Sequence, residues 1–338
     1  MSWNFELVAG PYGGTTEGPV WDGEALLFTH IPADRILRYD PKTSETTEYF
    51  TDTRRTNGLC FDSQGNLYGC QSGGRRIVRF EKDGSTTTSL PHQLDGKQHN
   101  NPNDLAVDKQ GQVWFTDPFN GSAGDQELDH MSVLRLDPKG HDQWELTRAT
   151  FDVSRPNGVL ISRDQKTLYV AQSDYSPDQP RQLRAYPIND DGSLGDYVTL
   201  HTFGIDHRGV QRGVDGMTLD AEGNIVLSDA MNSRIQRFTR DGKHLQAFGG
   251  FGDGEGELNM PWGLTVDQFG DILVADWKND RVQRFTSEGE FKSAIGSHGT
   301  EKGKFRRPSS VAVDGHGDIY VSDWQNDRVQ LFNKDERY

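Results

Sequence analysis

Seven times along the chain one phrase recurs: a polar or acidic residue, usually a Gly, alternating apolar residues, an Asp turn and a second alternating run. The copies open at Glu17, Asn57, Asn103, Asn157, Asp215, Trp262 and Ser309, 40 to 58 residues apart. Periods of this size signal a repeat architecture. In Asn103-Asp104-Leu105-Ala106-Val107-Asp108, followed by Lys109-Gln110-Gly111 and Gln112-Val113-Trp114-Phe115, apolar residues at every second position mark strands. The intervening Asp-x-x-Gly is a hairpin turn: Asp folds back on its own backbone and Gly supplies positive φ. Two further strands follow, Val133–Leu136 and Gln143–Leu146. Four antiparallel strands per copy, repeated, predict an all-β β-propeller with seven blades, six being the alternative if one copy packs irregularly. No copy has a convincing 3.6-residue period, which disfavours a helical solenoid.

The last copy holds only three strands before the chain stops at Tyr338. Trp3–Val8 offers the missing one, and its pairing there would hide the sheet edges. A chain of 338 residues can be a single all-β domain. Only 33% of its residues are hydrophobic, with 38 Gly, which suits many short strands joined by polar turns.

The formal charge of −15 repels phosphate backbones, so nucleic acid is excluded as a partner. No run is apolar enough to span a bilayer, and the N-terminus lacks a signal-peptide pattern, so a soluble, cytoplasmic protein without membrane partners is expected. Cys60 and Cys70 fall in neighbouring strands, with residue 60 opposite about 68. A disulfide is therefore disfavoured and buried free thiols are expected.

The turns between first and second strands are all short, as are those between third and fourth. The long connections, about residues 92–102, 118–131, 173–182 and 201–213, fall at the opposite strand ends, beside the residues that open each copy. Elaborated loops on one face of a scaffold are where binding and catalysis concentrate. Glu17, Asn103, Asn157 and Asp215 would present oxygens towards a common point there. Two carboxylates and two amide carbonyls suit a divalent metal, Ca²⁺ first, and leave room for water and substrate. Any one Asn at a strand start more often serves the backbone. Asn57 shares the register, whereas Trp262 and Ser309 break it, and Trp262 reads as a plug of the channel.

Five motifs, Glu17-Gly18-Pro19-Val20-Trp21, Asn101-Pro102-Asn103-Asp104-Leu105, Phe115-Thr116-Asp117-Pro118, Arg155-Pro156-Asn157-Gly158-Val159 and Val214-Asp215-Gly216-Met217, resemble the gluconolactonase/regucalcin (senescence marker protein) family in order. The likeness covers about residues 1–230. It implies metal-dependent hydrolysis of a lactone or related ester with Ca²⁺, Zn²⁺ or Mn²⁺. It makes Glu17, Asn157 and Asp215 metal ligands, with Asn103 at or next to the metal and contacting substrate. The family is six-bladed and many members carry Arg where this chain has Asn101, so the likeness is not complete. Residues 231–338 resemble NHL repeats in Pro261-Trp262-Gly263, Asp276-Trp277-Lys278-Asn279-Asp280-Arg281 and Asp323-Trp324-Gln325-Asn326-Asp327-Arg328.

A small-molecule substrate would be met by Asn57, Asn101 and His30 around the catalytic Asp215 and Asn103, with Asp215 as base or nucleophile. His99, His130, His201 and His207 read as solvated loop histidines. Arg281 and Arg328 read as structural braces. Two other functions remain open: an NHL-type protein-binding scaffold with a structural metal, and a metal-dependent lyase or isomerase.

Overall fold

The computed structural model describes residues 4–9, 16–82, 87–140, 143–174, 176, 178–203, 205–206, 209–210 and 216–333. They form seven four-stranded antiparallel sheets, an all-β seven-bladed propeller. The first strands of blades 1 to 7 are Thr16–Trp21, Thr56–Phe61, Leu105–Val107, Pro156–Ile161, Met217–Leu219, Pro261–Val266 and Pro308–Val313. In the last sheet Asn4–Ala9 pairs with Arg328–Asn333, with Phe5 opposite Phe332, so the N-terminal segment supplies the outer strand as expected.

The Asp turns form as the residue pattern predicts. Asp62, Asp108, Asp220, Asp267 and Asp314 each accept two backbone N–H groups in their own hairpin with one carboxylate oxygen, at 2.8 to 3.0 Å. The following Gly111 sits at φ 81°, where a side chain would strain the backbone.

The second strands depart from simple alternation. Leu67–Gln71, Val113–Asp117, Ile225–Asp229, Ile272–Asp276 and Ile319–Asp323 are buried at every position. Residues of both faces are buried in each, so polar residues go inside along with the apolar ones. The connection expected at 173–182 is shorter than that, because strands run to Ser173 and resume at Arg181.

The chain divides into two compact units. One takes in most of blade 1 with blades 5, 6 and 7; the other takes in blades 2, 3 and 4 with Ala33–Ile36 and the end of blade 1. In the first, Leu26, Phe28, Tyr39, Tyr320 and Leu331 make one core cluster, and Leu273, Ile295, Phe305, Val321 and Phe332 another. In the second, Phe115 and Leu134 pack with Tyr68 and Ile77, while Trp114 and Val133 pack with Val159 and Val170. Cys60 lies opposite Tyr68, Cys70 is buried, and both thiols are free.

The repeated Arg of the C-terminal blades is a brace. Arg328 donates Nε to Asp323 Oδ2 at 2.7 Å and spreads its other nitrogens over the carbonyls of Thr300, Glu301 and Lys304. Arg281 does the same for Asp276 and the carbonyls of Asp253, Gly254 and Glu257. Asp323 is fully buried, and burial raises its pKa against the opposing pull of the Arg306 N–H, Asn326 and Arg328. Arg328→Ala would strand that carboxylate, so a loss of about 3–5 kcal/mol is expected in denaturant titration. Arg328→Lys keeps the charge but not the fork, and should fall between wild type and Ala.

Candidate active site

Backbone irregularity marks the positions where the repeat opens. Strand register shifts between Glu17 and Val20, Thr56 and Leu59, Pro156 and Val159, Pro261 and Leu264, and Pro308 and Ser310. Asn57, Asn157, Trp262 and Ser309 lie inside these bulges and Glu17 borders one. A bulge turns a side chain out of the sheet's alternation, and bulges gather next to active sites. In blade 3 the regular strand starts only at Leu105. Before it, Asn103 N–H bonds to Thr116 O at 3.1 Å and Asp104 N–H to Thr116 Oγ1 at 3.1 Å.

Within the second unit the three candidate asparagines stand at or just before the starts of successive first strands. Gly58 N–H reaches Asn103 O at 3.3 Å, and a Cβ on Gly58 would come within 3.0 Å of that oxygen. That approach explains the Gly of the repeated phrase. Val159 N–H bonds to Asp104 Oδ2 at 3.0 Å, tying blade 4 to blade 3 in the same way. Asn57, Asn103 and Asn157 are all half-buried. Asn57 and Asn157 have partners of their own. Asn103 differs: its N–H and C=O are both engaged, yet its side-chain amide bonds to none of the described residues.

Asn101 is committed elsewhere. Its Nδ2 donates to Ser72 O at 3.3 Å and its Oδ1 accepts Asn120 N–H at 2.9 Å. Arg155 holds the same connection through Phe119 O at 3.2 Å and Asn120 Oδ1 at 2.5 Å. The long loop after Asp117 is therefore fastened at its root.

In the first unit His30 is buried at the end of its strand, opposite Thr16. The side chain of Glu17, the whole of Asp215 and His207 lie outside the described residues. Gly216, which follows Asp215, sits against Trp262: a Cβ there would lie 3.0 Å from Trp262 O. Ser228 N–H bonds to Gly216 O at 3.1 Å, matching the tie of Thr116 N–H to Asp104 O in blade 3. Among the described residues no three His, Cys, Asp or Glu side chains gather as metal ligands.

One polar cluster was not anticipated. His99, expected in solvent, is fully buried against Phe115 with ring centroids 5.3 Å apart. Arg75 draws it in, its Nε donating to the carbonyls of His99 at 2.6 Å and Asn100 at 3.2 Å. Asn100 N–H donates to Asp117 Oδ2 at 2.9 Å, and its Nδ2 donates to the carbonyls of Asp117 at 3.0 Å and His130 at 2.9 Å. Asp117 Oδ1, Asn100 Oδ1 and both ring nitrogens of His99 are buried without a partner among the described residues. Blades 5, 6 and 7 place an Arg opposite the Asp that ends the second strand; blade 3 places Ser132 there. Lacking that cation, burial pushes the Asp117 carboxyl up to about 7, opposed by the Asn100 N–H and Arg75. Burial likewise takes His99 down to about 3, helped by His92 and Arg75. Lining up the Asp-x-x-Asn-x-Arg segments of blades 5–7 with Asp117-Pro118-Phe119-Asn120-Gly121 would have revealed the missing Arg.

Residues 15–249 match the SMP-30/Gluconolactonase/LRE-like region family, and residues 258–285 and 305–332 match NHL repeats. The chain belongs to the SMP-30/gluconolactonase/LRE-like family. A gluconolactonase of Zymomonas mobilis is 29% identical over 256 residues, covering 70% of this chain and 69% of its own. Among solved structures, a gluconolactonase of Xanthomonas campestris superposes with a TM-score of 0.60 at 23% identity, covering 98% of this chain and 89% of its own. A streptogramin B lyase superposes at 0.71 with 14% identity, covering 98% and 97%. At these identities the two superpositions establish the shared fold. No helix among the described residues is long and apolar enough to cross a membrane.

Proposed function

We propose that this family member is a metal-dependent lactonase, with Glu17, Asn103, Asn157 and Asp215 holding a divalent cation. The observation that carries the reading is Asn103: a half-buried amide on an anchored backbone, without a partner among the described residues, between two first strands that open with Asn. The donor chemistry fits a hard cation, since amide oxygens open three successive strands and no copy opens with Cys or His. Ca²⁺ suits this set best, with Zn²⁺ and Mn²⁺ as alternatives. When bound, such an ion polarises the lactone carbonyl and stabilises the charge that develops on its oxygen.

The chain's residues supply the rest. Asn103 orients the carbonyl. Asp215 takes the proton from the attacking water, or attacks the carbonyl carbon itself. In the net reaction the ring C–O bond breaks, the water oxygen ends in the carboxylate and the leaving alkoxide gains a proton. Asn57, Asn101 and His30 border the substrate, Asn101 through the loops it fastens. The N-terminal lactonase-like blades carry this chemistry and the NHL-like blades from about residue 231 complete the scaffold.

Protein stripped with chelator is expected to lose lactone hydrolysis and to regain it with Ca²⁺, Mn²⁺ or Zn²⁺. Asn103→Ala is expected to cost about a hundredfold or more, as removal of one charge-stabilising group does. A lyase would give products without added water, visible by mass. A binding scaffold would turn over nothing, and a stripped protein with full activity would end the metal reading.

A further inference from the structure

Trp262, Trp277 and Trp324 gather in the first unit. The rings of Trp262 and Trp277 stack at 4.6 Å and 15°, and Trp324 lies 5.7 Å from each. Arg307 places its guanidinium 4.8 Å from the centre of the Trp277 ring. Its backbone holds a left-handed conformation, φ 58°, and its N–H is fixed on Asp280 Oδ1 at 2.7 Å. Its Nη1 donates to Lys278 O at 2.8 Å, while Nε and Nη2 bond to no described residue.

A plug made only for packing would look different. The core Trp114 is fully buried with its Nε1 paired to Asp108 at 3.0 Å, whereas all three clustered tryptophans are only half-buried. The Nε1 of Trp277 is buried without a partner among the described residues, which a finished core rarely tolerates. In a protein of net charge −15, Lys302-Gly303-Lys304-Phe305-Arg306-Arg307 carries four cations in six residues, Lys304 being paired to Glu301 at 3.2 Å, and Lys278 adjoins Arg307.

We propose that the tryptophan cluster and Arg307 form a binding face for an aromatic carboxylate, the ring resting against indole and the anion on the free side of the guanidinium. Indole surface favours a flat apolar ring, and an ion pair to guanidinium fixes the acid end. Trp262 adjoins Gly216, the residue that follows Asp215 in the sequence. Its use on a substrate, as the seat of an aryl-bearing lactone and the acid it yields, rests on the lactonase reading; the binding itself does not.

Titration calorimetry with 3-phenylpropanoate, 3-phenylpropan-1-ol and gluconate, on the full chain, tests the face. Saturable binding of 3-phenylpropanoate is expected, at least tenfold tighter than the alcohol or gluconate. Arg307→Met keeps the stem over Trp277 and removes the charge; it should cost the acid about tenfold and leave the alcohol unchanged. Trp324→Phe should weaken both aromatic ligands. Gluconate binding as tightly as the aryl acid, no saturable binding by wild type, or an unchanged Arg307→Met would each overturn the proposal. Because no turnover is needed, Asp215→Asn protein serves equally well, and a negative titration leaves the lactonase reading intact.

Discussion

Asp215→Asn is expected to lower kcat for lactone hydrolysis by about a thousandfold or more, the range expected when a proton acceptor at the reacting atoms is lost. The exchange keeps the side chain's size and one oxygen, so folding and much of the metal affinity should survive. It removes the negative charge and the basic oxygen. An amide neither accepts the water's proton at neutral pH nor attacks a carbonyl, so both proposed roles fail together. Turnover in ¹⁸O-water separates them in the wild-type protein. Attack by Asp215 itself leaves label in its carboxylate after repeated cycles, detectable in the peptide by mass. A base that only relays a proton stays unlabelled. A variant that bound metal and kept activity within tenfold of wild type would remove Asp215 from the chemistry.

Much of the architecture was legible because it rests on local rules repeated along the chain. The Asp-x-x-Gly turn is written in four neighbouring residues, so Asp108 to Gly111 could be placed without knowing what packs on them. The outer strand of the last blade was legible because three strands without a fourth leave an open edge. What could not be read depends on neighbours distant in sequence. Ser72 and Asn120 take up the amide of Asn101, and nothing in the Asn-Pro-Asn motif announces either. His99 looked like a loop residue, and it is one, but Arg75 anchors that loop from another blade and buries the ring. Trp262 read as a break in the ring of oxygen donors. Its stacking on Trp277 and Trp324 needed three separate segments brought together.

The cluster of Asp117 and His99 should give stability an unusual dependence on pH. Asp117 titrates near 3.8 when unfolded and about 7 when folded, so the folded state holds a proton that the unfolded state has released. Its contribution is fully present below about pH 4 and is lost as pH rises to about 7. His99 runs the other way: about 6.5 unfolded and about 3 folded, so its contribution is full above pH 6.5 and is lost as pH falls to 3. Each span is worth on the order of 4 kcal/mol, at about 1.4 kcal/mol per pH unit. Between pH 4 and 6.5 the two slopes oppose one another and nearly cancel, so wild-type stability should be almost flat there. Asp117→Asn uncovers the histidine: stability should climb by a few kcal/mol from pH 4 to 6.5, and at pH 8 the variant should exceed wild type. Its amide can still accept the Asn100 N–H, and its NH₂ brings a donor to a cluster whose orphaned atoms include acceptors. His99→Phe uncovers the carboxylate, and stability should fall over pH 4 to 7. Urea titrations of the three proteins at each pH read these slopes directly. Parallel curves for wild type and Asp117→Asn would mean that Asp117 ionises inside the fold without penalty, and that its missing Arg is replaced by something other than a proton.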